Sequence, residues 1–155
     1  MGTDLYIPAM PDMANFLHVM PSDIQMTITV YLLGIGFGAL FYGPLSDKIG
    51  RKPVIIFGLI IFALGSILCA HSNSIYGIIA GRALQGAGAI GSTLLACAAD
   101  LTREEVRTKA MAIMGITIGV SFVVAMILGP ILSVRIGISG IFDVTALLAL
   151  IAIVI

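Results

Sequence analysis

Charged residues punctuate the chain, and the stretches between them are apolar. Residues 24–46, 53–81, 83–99, 110–134 and 144–155 contain no Asp, Glu, Lys or Arg. A helix needs about 20 apolar residues to cross about 30 Å of hydrocarbon, and backbone groups in lipid must be satisfied internally. These runs therefore predict membrane-spanning helices. The first runs from Gln25 to Phe41 or a little beyond, and the second from Val54 to Ala70. A polar turn at residues 71–74 leads into the third, from Ile75 to about Ala98. The fourth covers about Ala110 to Leu132, and the fifth starts near Gly140 and reaches the end. Residues 1–16 read as the tail of one further helix, cut short, because the residues ahead of Pro11 cannot span a bilayer at about 1.5 Å each. The fold class is all-α: a polytopic transmembrane helical bundle, with a partial first helix plus about five further spans, in a single transmembrane domain over residues 1–155.

Composition agrees. The apolar fraction is 59%, the charged fraction 10% and the mean hydropathy +1.15. A soluble domain is about 45–50% apolar and about 25% charged, so lipid is the simplest solvent for this chain. Eight basic and eight acidic residues cancel, which gives no pull toward nucleic acid. No cleavable signal peptide is visible. Cys69 and Cys97 fall at opposite membrane faces in this topology, too far apart for a disulfide. His18 and His71 are lone loop residues. No Ser/His/Asp set, metal-ligand spacing or cofactor loop is present, so neither an enzyme, a cofactor nor a metal is expected.

The basic residues set an orientation. Lys48, Arg51 and Lys52 lie between the first two full spans, and Arg103, Arg107 and Lys109 between the third and fourth. Two spans apart, these groups share one face and hold six of the eight basic residues. The positive-inside rule makes segments 43–53 and 99–109 cytoplasmic in a multi-pass membrane protein. Glycines recur at helical spacing: Gly34, Gly36 and Gly38, then Gly86, Gly88 and Gly91. The second set formally matches G-x-G-x-x-G, but it has no strand before it and no acid about 20 positions on. Close helix packing is the better reading.

Residues 43–53 are the most informative stretch. The sequence predicts a tight turn there, with Gly50 allowing a backbone conformation other residues resist. Asp47 is placed at the start of the following helix, and Arg51 and Lys52 anchor the face. The spacing Gly43, Asp47, Lys48, Gly50, Arg51, Lys52 resembles the signature loop of the major facilitator superfamily, G-x-x-x-D-[RK]-x-G-[RK]-[RK], at every defined position. Arg82-Ala83-Leu84-Gln85-Gly86-Ala87-Gly88 resembles the fourth-helix motif of the same superfamily. Residues 4–11 (DLYIPAMP) and 42–47 (YGPLSD) are similar to the Bcr/CflA drug:proton antiporters, relatives of bicyclomycin-resistance proteins. Gly129-Pro130 resembles the antiporter motif of the fifth helix, although Ala125 and Ser133 stand where glycines are usual. That departure bears on antiport more than on fold.

The resemblance implies a truncated amino-terminal six-helix half, with the second half absent and a separately encoded second half as a conceivable partner. It implies proton-coupled efflux of drugs or small amphipathic compounds through the bilayer of the bacterial plasma (inner) membrane. Alternatives are a split or decayed gene fragment without transport, or a transporter subunit for a metabolite or sugar. Arg82 lies inside a span, where a basic residue costs at least about 2.5–3.5 kcal/mol. It is read either as a cavity residue tuning a proton-carrying carboxylate or as an arginine that snorkels or pairs with helix carbonyls. Asp4 is its natural partner, and a carboxylate at that depth can exchange a proton against a cationic substrate. Asp4, Arg82 and Gln85 form the expected proton and substrate site. Asp143 is read as interfacial. An ion pair between Arg51 and Asp100 is expected on the inner face.

Overall fold

The computed structural model describes Ile7 and residues 18–154. Five helices account for nearly all of the latter: α1 (Pro21–Ile49), α2 (Arg51–His71), α3 (Ile75–Ala87), α4 (Gly91–Leu101) and α5 (Glu104–Val154). No strand occurs among the described residues. Three of the helices are long and apolar enough to cross a membrane: α1, α2 and α5.

The pattern along α1 shows how such a sequence packs. Ile24, Thr27, Tyr31, Gly38, Tyr42 and Ser46 are buried, at three-, four- and seven-residue steps along one face. Leu32, Leu33, Phe37, Leu40 and Phe41 stand exposed on the other faces. The inward stripe carries small and polar groups, and the outward faces carry large hydrocarbon. Lipid tails are as apolar as leucine, so association favours close backbone approach and hydrogen bonding.

The glycine sets serve that approach. A Cβ on Gly34 would lie 2.8 Å from the Ala83 carbonyl oxygen, and one on Gly86 would collide with the carbonyl oxygen of Tyr31. These contacts hold α1 against α3. On the other side of α3, a Cβ on Gly65 would lie 2.8 Å from the Gly81 carbonyl oxygen. Thus α3 is wedged between α1 and α2. Ile24, Cys69, Ala70, Ile78 and Phe142 form a core at one end, and Tyr42, Val54 and Ile90 form another toward the opposite end.

The structure corrects three boundaries. The turn expected over residues 43–53 shrinks to Gly50, because α1 continues as helix to Ile49 through Pro44 and α2 begins at Arg51. Gly50 alone makes the reversal, with φ 95°, and its amide donates to the Ser46 carbonyl. Asp47 therefore sits in the closing turns of α1, not at the start of the next helix. The third span is broken over residues 88–90 into α3 and α4, which are about 20 Å and 16 Å long and cross only together. The Ala87 carbonyl lies at that break and accepts a hydrogen bond from the Tyr42 hydroxyl at 2.5 Å. Finally, the last two spans run without a loop. A kink at Gly137 (φ 69°, ψ −177°) divides α5 into segments 104–136 and 138–154. Ala125 and Ile141, on either side of the kink, are buried in one cluster with Leu132 packed against it. The extended form with positive φ is open essentially to glycine alone.

Candidate functional site

Two polar clusters stand out against this apolar background. The first lies inside the bundle. Arg82 and Gln85 project from the same face of α3, one turn apart, and both are 0% exposed. Arg82 Nη1 donates to Gln85 Oε1 at 2.6 Å, Gln85 Nε2 donates to Ser66 Oγ on α2 at 2.7 Å, and Ser66 Oγ donates to the Phe62 carbonyl at 2.9 Å. The Arg82 guanidinium carbon lies 4.2 Å from the centroid of the Tyr31 ring on α1. A chain of contacts through Arg82 and Gln85 thus joins three helices, and the described groups that touch the cation include a neutral amide and an aromatic face. A desolvated cation–π contact contributes about 2 kcal/mol, and a hydrogen bond to a charged group about 1.5–3 kcal/mol.

Full burial sets aside the snorkelling alternative for Arg82. Nor does Arg82 open onto the neighbouring cavity of about 460 Å³; there Tyr31 contributes to the wall, with Phe62, Ile90, Leu94, Thr145 and Leu148. Asp4, the expected partner, lies outside the described residues. Gly129 is buried and Pro130 exposed within the first segment of α5, where the Pro130 carbonyl accepts from Ser133 Oγ at 2.9 Å. Asp143 is exposed on the second segment.

The second cluster sits at the end of the bundle where α1 meets α2. Arg51 places Nε 3.0 Å and Nη2 2.9 Å from Asp100 Oδ2, at the end of α4. Nη1 donates to Ser46 Oγ at 2.9 Å, and Nη2 lies 3.3 Å from Asp47 Oδ1. The Gly50 reversal makes this possible: it sets the first residue of α2 beside the last turn of α1, and Asp47 and Arg51 fall four residues apart. Gly43 contributes its carbonyl, which accepts from Ser46 Oγ at 2.8 Å. Lys48 and Lys52 flank the cluster and are exposed. The arrangement ties three helix ends together through one guanidinium. It also shows that the two basic segments share one end of the molecule.

Sequence reasoning did not single out Tyr31, Ser46 or Ser66. Each is a hydroxyl-bearing residue on a helix otherwise rich in hydrocarbon, and that is the available signal: a polar group in a span needs a partner. Arg82 and Gln85 at i, i+3 carried the same hint that they face one another.

A family model described as Major Facilitator Superfamily matches residues 1–155. Similar proteins include the inner membrane transport protein YajR of Escherichia coli (strain K12), 49% identical over 126 residues, which are 81% of this chain and 28% of that protein. The multidrug resistance protein D of the same organism is 43% identical over 88 residues, 57% of this chain and 22% of that protein. A bicyclomycin resistance protein homolog of Haemophilus influenzae is 35% identical over 133 residues, 84% of this chain and 32% of that protein. The chain spans about a third or less of the length of these curated relatives.

Proposed function

The chain belongs to the major facilitator superfamily, and from that premise we propose that it supplies one wall of a proton-coupled exporter of drugs or other small amphipathic compounds. The observation that carries this reading is the fully buried Arg82, held by Gln85, Ser66 and Tyr31 inside an apolar bundle. An ionisable group at membrane depth is costly, and its usual justification is a substrate, ion or proton path. The names of the relatives, multidrug resistance and bicyclomycin resistance among them, favour drugs over sugars as cargo.

In this reading Asp4 is the proton carrier. Its carboxyl takes a proton from one side of the membrane and gives it up on the other, and the cationic substrate occupies the site in the deprotonated state. Arg82 positions that chemistry, and Gln85 fixes the guanidinium. Arg51, Asp47 and Asp100 form a latch that opens as the transporter changes its accessible side. The six basic residues of the Gly50 end favour a cytoplasmic position for it by the positive-inside rule, and a cysteine at Lys48 is then expected to resist impermeant thiol reagents in intact cells.

The test joins this chain to the remaining length of the Escherichia coli relative and reconstitutes the product in vesicles. Asp4→Asn is expected to abolish export driven by a pH gradient while retaining binding of neutral compounds. Gradient-driven export at the parent rate in that variant removes Asp4 from the mechanism.

A further inference from the structure

The outer face of α2 carries a groove of about 460 Å³ lined by Lys52, Pro53, Ile56, Phe57 and Ile60. The apolar members follow helical spacing, so the groove runs along the helix for about two turns. Phe57 and Ile60 are 54% and 43% exposed. On a helix that crosses a membrane, such a face is covered by acyl chains. Lys52 stands at the Gly50 end of the groove, where the span begins.

The charge at that mouth meets no carboxylate among the described residues. Arg51, the adjacent cation, is engaged by Asp47 and Asp100. Among the described residues, no carboxylate lies within 4.0 Å of Lys52. Lys48, exposed on the last turn of α1, adds a second positive charge across the reversal. We propose that this groove is a site for an anionic phospholipid, with one acyl chain along Pro53, Ile56, Phe57 and Ile60 and the phosphate on Lys52.

A second groove gives an internal control. It lies on α1, has a volume of about 510 Å³ and is lined by Thr29, Leu32, Leu33, Gly36, Phe37 and Leu40. It is of similar size and equally greasy, but no charged side chain lines it. Acyl chains cover both grooves, and headgroup selection belongs to the α2 groove alone. One lysine near a membrane surface corresponds to about a five-fold preference for an anionic over a zwitterionic headgroup.

The experiment uses vesicles of phosphatidylcholine and phosphatidylglycerol in which one lipid at a time carries a photoreactive acyl chain. The intact chain is reconstituted, irradiated and mapped by peptide mass spectrometry. Residues 53–60 are expected to take up phosphatidylglycerol about five-fold over phosphatidylcholine at equal mole fraction, and residues 29–40 the two alike. Lys52→Gln lowers the first ratio several-fold toward one and Lys52→Arg keeps it, with helicity of each variant checked by circular dichroism. Equal labelling of residues 53–60 by the two lipids in the parent chain overturns the proposal, as does an unchanged ratio in Lys52→Gln.

Discussion

Arg82 and Arg51 are both arginines at helix positions four or fewer residues from a side-chain partner, yet they are stabilised in opposite ways. Arg51 is 27% exposed and is met by two carboxylates that are themselves 66% and 58% exposed. Arg82 is 0% exposed, and its described partners are an amide oxygen and an aromatic ring. At the membrane face, water screens each charge, so opposite charges add little and can part readily. Arg82 is fully buried, so each of its described contacts matters more. The first arrangement suits a contact that must break and re-form, and the second suits a charge that must stay put.

The largest expected effect comes from Gln85→Leu. Leucine matches the volume but removes both the acceptor for Arg82 Nη1 and the donor to Ser66. Leaving a charged donor without that acceptor in a dry interior is expected to cost about 3 kcal/mol, read from loss of helicity on titration with a denaturing detergent. Ser66→Ala should cost about 1 kcal/mol. The double variant should fall short of the sum, because both changes cut the same chain of bonds. Strict additivity would mean that the Arg82 network does not act as a unit.

The two clusters also differ in how openly the sequence announces them. The Arg51–Asp100 contact was readable because charges are rare here, and those flanking two spans on one side can meet only at a membrane face. The inward placement of Arg82 followed from the cost of a charge inside a span, and its contact with Gln85 was available from their i, i+3 spacing but was not drawn. Ser66 and Tyr31 were not legible, since their roles depend on how α1 and α2 dock on α3, and that docking is set by backbone contacts at Gly34, Gly65 and Gly86. The spans were legible from hydropathy. The break at residues 88–90 and the kink at Gly137 were not, because a glycine in an apolar run is as compatible with a packed helix as with an interrupted one. The turn expected at residues 43–53 came out too long for a related reason: its charges mark a membrane face, while helix continues beneath them to Ile49.

A smaller effect is expected at Tyr31. Tyr31→Leu removes the π face beneath the guanidinium and should cost about 1–2 kcal/mol in the same titration. Tyr31→Phe keeps the ring and should lose less than half of that. Equal losses in the two variants would assign the contribution to the hydroxyl and leave the cation without an aromatic partner, which would weaken the contrast with Arg51.

The smallest stability effect is expected at Asp100. Asp100→Asn keeps an oxygen acceptor for Arg51 and removes the charge, and exposed ion pairs contribute about 1 kcal/mol or less. The cost should shrink further in about 1 M salt, where the screening length falls to about 3 Å. Gln85→Leu should be nearly indifferent to salt, since its partners are shielded from ions. Function separates the pair further. In the joined protein, the proposed latch at the Gly50 end would act on the rate of switching and not on the substrate. Asp100→Asn should therefore change turnover while substrate affinity stays within a few-fold. A cost above about 2 kcal/mol that persists in high salt would place Asp100 in the same energetic class as Gln85. A large loss of affinity at normal turnover would remove the latch. Either result would break the distinction between an exposed charge met by carboxylates and a fully buried one held in part by an amide and an aromatic ring.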